Sequence, residues 1–158
     1  MFRLSRISGD VRMHIRNAGD RDIEALAAML TELFAIEKDF SPRPVLHASG
    51  LSMILRDPSY RVLVAADPED RPVGMVSLHI LLSTAEGGKV GLLEDLIVAE
   101  EYRGRGLGRA LLMEVDSIVR RECLIRLQLL ADRCNTRALE FYAKQGWSPT
   151  SLIVLRKR

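Results

Sequence analysis

The chain has 158 residues, 47% apolar and 28% charged, enough for one domain to bury a core without disulfides or a structural metal. Its 23 basic and 21 acidic residues leave a net charge of +2, too near neutral for a dedicated nucleic-acid binder. No apolar run approaches the ~20 residues that span a bilayer, and Met1–Asp10 lacks the apolar stretch of a secretory signal. Cys123 and Cys134 have no metal-ligand spacing, and His14, His47 and His79 are scattered, so the reading is a reduced, cytoplasmic compartment with no metal site.

Residues 1–10 read as a loose extension, with Met13 as an alternative start, and residues 11–158 as a single domain. Alternating side chains predict a first strand over Val11–Arg16. Asp20 suits a helix N-cap, and Ile23, Leu26, Ala27, Leu30, Leu33 and Phe34 then recur at helical spacing, which carries the helix to about Ile36. Pro42 and Pro44 break the chain before a second short helix, Leu46–Arg56. Three strands follow, Tyr60–Ala66, Pro72–Leu82 and Lys89–Val98, joined by tight turns and therefore expected as an antiparallel meander. The glycine-rich stretch Arg103–Gly108 opens a helix to about Arg120 that buries Leu107, Leu111, Leu112, Val115 and Val119. A strand at Leu124–Leu130, a helix at Thr136–Lys144 and a last strand at Leu152–Leu155 complete the order β-αα-βββ-α-β-α-β. That order defines a mixed α/β (α+β) fold whose segment from Lys89 to Leu130 forms a parallel crossover.

Arg103-Gly104-Arg105-Gly106-Leu107-Gly108-Arg109 carries the most chemistry. It lies between a strand and a helix, where first-turn N–H groups have no partner within the helix. Glycines allow positive φ and close approach of a ligand, and the positive end of the helix dipole favours an anion such as a pyrophosphate. A Walker loop would need Lys-Ser/Thr where Arg109-Ala110 stands, and the dinucleotide fingerprint would need G-x-G-x-x-G rather than G-x-G-x-G. An arginine-glycine nucleic-acid segment would be longer and not sealed to an amphipathic helix. A turn that serves only close packing is the remaining alternative.

Arg103-x-x-Gly106-x-Gly108 is similar to the [Arg/Gln]-x-x-Gly-x-[Gly/Ala] signature of the GNAT superfamily of N-acetyltransferases. The preceding Leu93-Glu94-Asp95-Leu96-Ile97-Val98 resembles that family's cofactor strand, and Asn135 to Trp147 resembles its Asn-x-x-Ala-x-x-x-Tyr-x-x-x-Gly-Phe/Trp segment. The Glu94-Asp95 pair is most similar to the diamine (spermidine/thialysine) branch. The resemblance implies acetyl-CoA as co-substrate and a GNAT-like mixed sheet. It implies that backbone N–H groups from Gly104 through Arg105, Gly106, Leu107 and Gly108 to Arg109 hold the pyrophosphate, with Arg103 at the start of the motif. It further implies a splayed strand at Leu96, Ile97 and Val98 whose free backbone groups bind the pantetheine and the acetyl carbonyl, where an N–H would matter most for the oxyanion. Asn135 would contact cofactor as well, although capping its helix already accounts for an Asn there. Dimers are common in the family, and Leu152–Leu155 is the strand that could pair across an interface.

Acetyl transfer from a thioester needs a neutral amine and a proton for the departing thiolate. Tyr142 is the candidate general acid, since the resemblance places it by the cofactor sulfur and a phenol of pKa ~10 can protonate a thiolate. An aromatic packed beside Phe141 is the plainer alternative. Glu94 is the candidate base, acting directly or through a water on an ammonium of pKa ~10.4, against a solvated or ion-paired carboxylate. On a strand Glu94 and Asp95 point to opposite faces, so they cannot both serve one site, and His79 is an alternative base or an ordinary structural histidine.

Six acids against two bases from Asp20 to Asp39, and five against one from Glu86 to Glu101, suggest an acidic acceptor side drawn to a cationic amine. Solvated helix faces explain the same counts. The expected function is acetylation of a primary amine, first a small polyamine or amino-acid-like amine, second a protein N-terminus or lysine. The alternatives are a non-catalytic acyl-CoA-binding regulatory domain and a basic nucleic-acid module built on Arg3, Arg6, Arg12 and Arg156-Lys157-Arg158, which the near-neutral charge disfavours.

Overall fold

The computed structural model describes residues 2–3, 13–36 and 41–157. A seven-stranded sheet is built from β1 (Phe2–Arg3), β2 (His14–Asn17), β3 (Tyr60–Ala66), β4 (Pro72–Ser83), β5 (Gly88–Leu93), β6 (Ile97–Val98) and β7 (Leu127–Leu129). Its order is β1-β2-β3-β4-β5-β7, with β6 pairing β4 off that path. All pairs are antiparallel except β5 with β7, which run parallel as the crossover predicts. Of the expected loose extension, Phe2–Arg3 pairs with β2; residues 1 and 4–12 lie outside the described residues.

The helices are α1 (Ile23–Ile36), α2 (Pro44–Ile54), α3 (Leu107–Glu122) and α4 (Thr136–Lys144). They cover opposite faces of the sheet, because each strand sends alternate residues to opposite sides. Leu26, Leu30 and Leu51 of α1 and α2 pack on Val62, Val64, Met75 and Ile97. Leu107, Leu111, Val115 and Ile118 of α3 pack on the other face, against Leu63, Val76, Leu78 and Leu93. Arg16 of β2 fixes the start of α1 by forking onto the buried Asp22 at 2.8 and 2.9 Å, and Asp22 also accepts from the Gly19 amide at 2.8 Å. Burial alone would raise the Asp22 carboxyl, but Arg16 and the Gly19 amide hold it below the usual carboxylate range.

Three expectations are corrected. The strand expected over Lys89–Val98 is broken after Leu93 and resumes at Ile97. The strand expected over Leu124–Leu130 shortens to Leu127–Leu129; Leu124 is instead buried under α3, its amide closing that helix on Val119. Leu152–Leu155 is not a strand: it has no ladder partner among the described residues, and its four apolar side chains are 61–86% exposed. Strand propensity alone does not make a strand, since pairing and a face to bury supply most of the stability.

Candidate active site

The glycine turn has the predicted backbone. Gly104 (φ 75°) and Gly106 (φ 81°) are left-handed, and Gly106 is the N-cap residue of α3. A Cβ at either would meet nothing within 4 Å, so the turn is open to a ligand on that side. Among the described residues the amides of Gly104, Arg105, Gly106, Leu107, Gly108 and Arg109 donate to no protein group, whereas Arg103 and Ala110 on either side are bonded. Six successive free donors at a helix N-terminus form an anion cradle. Arg103 has another duty, since its Nε donates to the Val98 carbonyl at 2.8 Å and ties the turn to β6. Arg105 lies over the Tyr102 ring at 5.3 Å and lines an open cleft of about 330 Å³ with Arg71, Glu101 and the Asp67–Glu69 turn.

Beyond Leu93 the sheet comes apart. β7 ends at Leu129, opposite Leu93, so from residue 94 onward β5 and β6 have a strand on the β4 side only, among the described residues. The Leu96 amide donates to no protein group among the described residues. This is the splay the resemblance implies, and a bulge accompanies it. Leu93 faces Leu78 and Ile97 faces Met75, so three residues, Glu94, Asp95 and Leu96, span a stretch that β4 covers with two, Val76 and Ser77.

The extra residue changes which side chains share a face. Glu94 stands opposite Ser77, its amide donating to the Ser77 carbonyl at 2.9 Å, and Asp95 Oδ2 accepts from Ser77 Oγ at 3.2 Å. Both carboxylates therefore lie on the α1/α2 side of the sheet, which corrects the expectation of opposite faces. Leu96 turns to the α3 core instead and Ile97 to the α1/α2 core. Next along the same face, His79 pairs with Tyr60 across β4 and β3, the rings stacked at 4.2 Å and 9°. Phe34 of α1 and His47 of α2 sit with ring centroids 4.9 Å apart. His47 Nε2 accepts from the Arg43 amide at 2.8 Å, which leaves the ring proton on Nδ1.

Electrostatics mark this face out. Burial raises the Asp95 carboxyl, against the Ser77 hydroxyl and the His47 ring, which act to lower it. Partial desolvation raises the Glu94 carboxyl, Asp95 raises it further, and His79 pulls it back. Tyr60 is raised by burial and then by Glu94, Asp57 and Asp95. Three of the other acids behind the expected acidic face are paired elsewhere: Asp22 with Arg16, Asp20 facing Arg56 at 3.8 Å, Glu86 with Arg126 at 3.0 Å. Glu37 and Asp39 lie outside the described residues.

On the opposite face, Asn135 caps α4, its Oδ1 accepting from the Ala138 amide at 3.1 Å. Tyr142 is half-buried against the α3 core, its ring 5.3 Å from Phe141 and 5.9 Å from Trp147. The tip of the Phe141 ring would lie 3.3 Å from a Cβ on Gly108, so α4 rests directly on the first turn of α3. The glycine turn and Tyr142 thus share the α3/α4 side, Glu94 stands on the α1/α2 side, and the splay opens between them. Sequence reasoning missed Ser77, Tyr60 and His47. Ser77 alone left a signal, as a polar residue inside the otherwise apolar run from Val73 to Leu78.

Among the described residues no helix is long and apolar enough to cross a membrane, and no three His, Cys, Asp or Glu side chains gather as a metal site. Residues 23–147 match the model of the Acetyltransferase (GNAT) family, and the chain belongs to that family of acetyl-CoA-dependent N-acetyltransferases. It is 38% identical over 81 residues to a glucosamine 6-phosphate N-acetyltransferase of Trypanosoma brucei brucei, a match that covers 51% of this chain and about half, 53%, of that protein. With an aminoalkylphosphonate N-acetyltransferase of Salmonella typhimurium it shares 25% identity over 133 residues, 84% of this chain and 83% of that one. The crystal structure of a Trypanosoma brucei acetyltransferase superposes with a TM-score of 0.73 at 26% identity, covering 92% of this chain and 99% of the other.

Proposed function

We propose that this chain transfers the acetyl group of acetyl-CoA to a primary amine by direct attack, the donor entering from the α3/α4 side and the acceptor from the α1/α2 side. The observation that carries the reading is the splay beyond Leu93 and Leu129, which opens the sheet between a run of free amides with Tyr142 on one face and Glu94 on the other. The amides of Gly104 to Arg109 hold the pyrophosphate. Arg103 keeps the turn in register with β6, and the free backbone at Leu96, Ile97 and Val98 receives the pantetheine and polarises the acetyl carbonyl. Asn135 orients α4 beside the cofactor. Glu94 takes the ammonium proton and Tyr142 protonates the thiolate.

Among amines, a small polyamine or amino-acid-like amine fits best, because Glu94 and Asp95 share one face and attract cationic groups. Glucosamine 6-phosphate and aminoalkylphosphonates, the acceptors in the two relatives' names, carry anionic groups that this pair would repel, and they belong in the same substrate screen. A protein N-terminus or lysine is the second acceptor class. Cys123 and Cys134 are exposed free thiols, which suits a reducing, cytoplasmic compartment. The same reading includes a homodimer contacting through Leu152–Leu155; sedimentation should give twice the chain mass, and a monomer at micromolar concentration would remove this part.

Saturating acetyl-CoA tests the whole. At a hundredfold excess over Kd, linkage supplies about 2.7 kcal/mol, which in a domain of this size raises the melting temperature by roughly 5–10 °C. No rise with fresh cofactor would leave Arg103–Arg109 a packing turn. A rise without thiol release for any amine would make the chain an acyl-CoA-binding domain instead.

A further inference from the structure

We infer that His79, held flat against Tyr60, is a positioning residue that draws the substrate's proton from Glu94 and passes it to solvent. The inference rests on Glu94 as the base and adds where that proton goes. In the proposed reaction an ammonium and a thioester give an amide and a thiol: the C–S bond breaks, a C–N bond forms, two protons leave nitrogen and one reaches sulfur. One proton per turnover must therefore be discharged, and a protonated Glu94 cannot serve again until it is emptied.

The register places His79 for that task. His79 lies directly across from Leu92, so Glu94, two residues further on, is its diagonal neighbour on the same face, a separation that long side chains bridge directly or through one water. The ring is fixed by its π-face. It is stacked at 4.2 Å and 9° on Tyr60, and imidazole alone among side chains readily accepts a proton at one nitrogen and releases it from the other near neutral pH. The titratable groups around it are Asp57 and Tyr60 on the β3 side and Glu94 and Asp95 on the β5 side, with His47 of α2 near Asp95. His79 itself is only partly buried, so the proton's path onward is short. The alternative is a histidine that merely completes the packing of Tyr60.

His79→Gln keeps the size and loses the titrating ring. It should lower kcat about tenfold in dilute, non-nucleophilic buffer, with acetyl-CoA affinity and melting temperature unchanged, and added imidazole should restore the rate in proportion to its concentration. The parent enzyme should be insensitive to added imidazole. A merely structural role would give a defect that imidazole does not touch, and that result overturns the inference, as does a parent rate that rises with imidazole. If His79→Gln does not fold, His79→Asn and the imidazole response of the parent decide the matter. A separate arm isolates the underlying reading: Glu94→Gln should stay impaired in imidazole at neutral pH, and full activity in that variant would remove the base assignment itself.

Discussion

Replacing Glu94 with glutamine is expected to lower kcat/KM for the amine about a hundredfold or more near neutral pH, the range that general-base catalysis supplies. The loss should shrink as pH approaches ~10, where the free amine needs no base. The direction follows from the carboxyl's surroundings. Desolvation, then Asp95, push Glu94 above the ordinary carboxylate range, with His79 opposing. Its basic form therefore appears at higher pH than that of a solvated glutamate, and the acid limb of the parent's kcat/KM profile should lie correspondingly high. In the variant that limb should vanish and the remaining rise should follow the amine. Stability runs the other way. A carboxyl whose folded pKa is raised favours folding only while protonated, and that contribution is lost as pH rises through the folded pKa. Glutamine should thus melt at or above the parent's temperature at pH 7. An unchanged pH profile and amine KM would end the assignment.

Tyr142→Phe should lower kcat about a hundredfold while acetyl-CoA binds as before. Only the hydroxyl is removed: the ring keeps its neighbours Phe141 and Trp147, and none of the six free amides of the glycine turn is touched. A loss confined to kcat identifies a group that acts in the transition state. The release rate of the thiol under single-turnover conditions is the cleanest reading. Equal rates for variant and parent would return Tyr142 to a packing role.

Local pattern carried much of this fold. Tyr60–Ala66 and Thr136–Lys144 stand at the predicted bounds, and α1, described as Ile23–Ile36, carries the predicted apolar spacing. Each helix has one apolar stripe to bury, and Tyr60–Ala66 reads as a continuous apolar run because both its faces are covered, Val62 and Val64 by α1 and α2 and Leu63 and Ala65 by α3. The glycine turn was equally legible, because a positive φ restricts the choice of residue directly. The break after Leu93 was not, since a bulge is a mismatch between two strands and one strand's sequence does not count the other's residues. A trace of it exists nonetheless. Strict alternation would put Asp95 on the side of Leu93 and Ile97, and Glu94 with Leu96 and Val98, leaving one acid on each apolar face. One extra residue sends Leu93, Leu96 and Val98 to one core and gathers both acids on the other side. Leu152–Leu155 misled for the converse reason: its composition suits a strand, but pairing needs a partner that composition does not supply.

Gly108 differs from its neighbours in the turn, for it needs no positive φ; the tip of the Phe141 ring sits where its side chain would be. An alanine there would be 3.3 Å from that ring, and the ring would have to yield by a few tenths of an ångström. Phe141 is the residue before Tyr142 on the same helical turn, so such a retreat would be handed to the phenol as a change of aim. On the proposed reaction, the empty space at position 108 would work as a gauge block between two machines, the turn that would grip an anion and the phenol that would deliver a proton. Drift at this position would then be filtered by the accuracy of the proposed proton donor as much as by the proposed grip on phosphate.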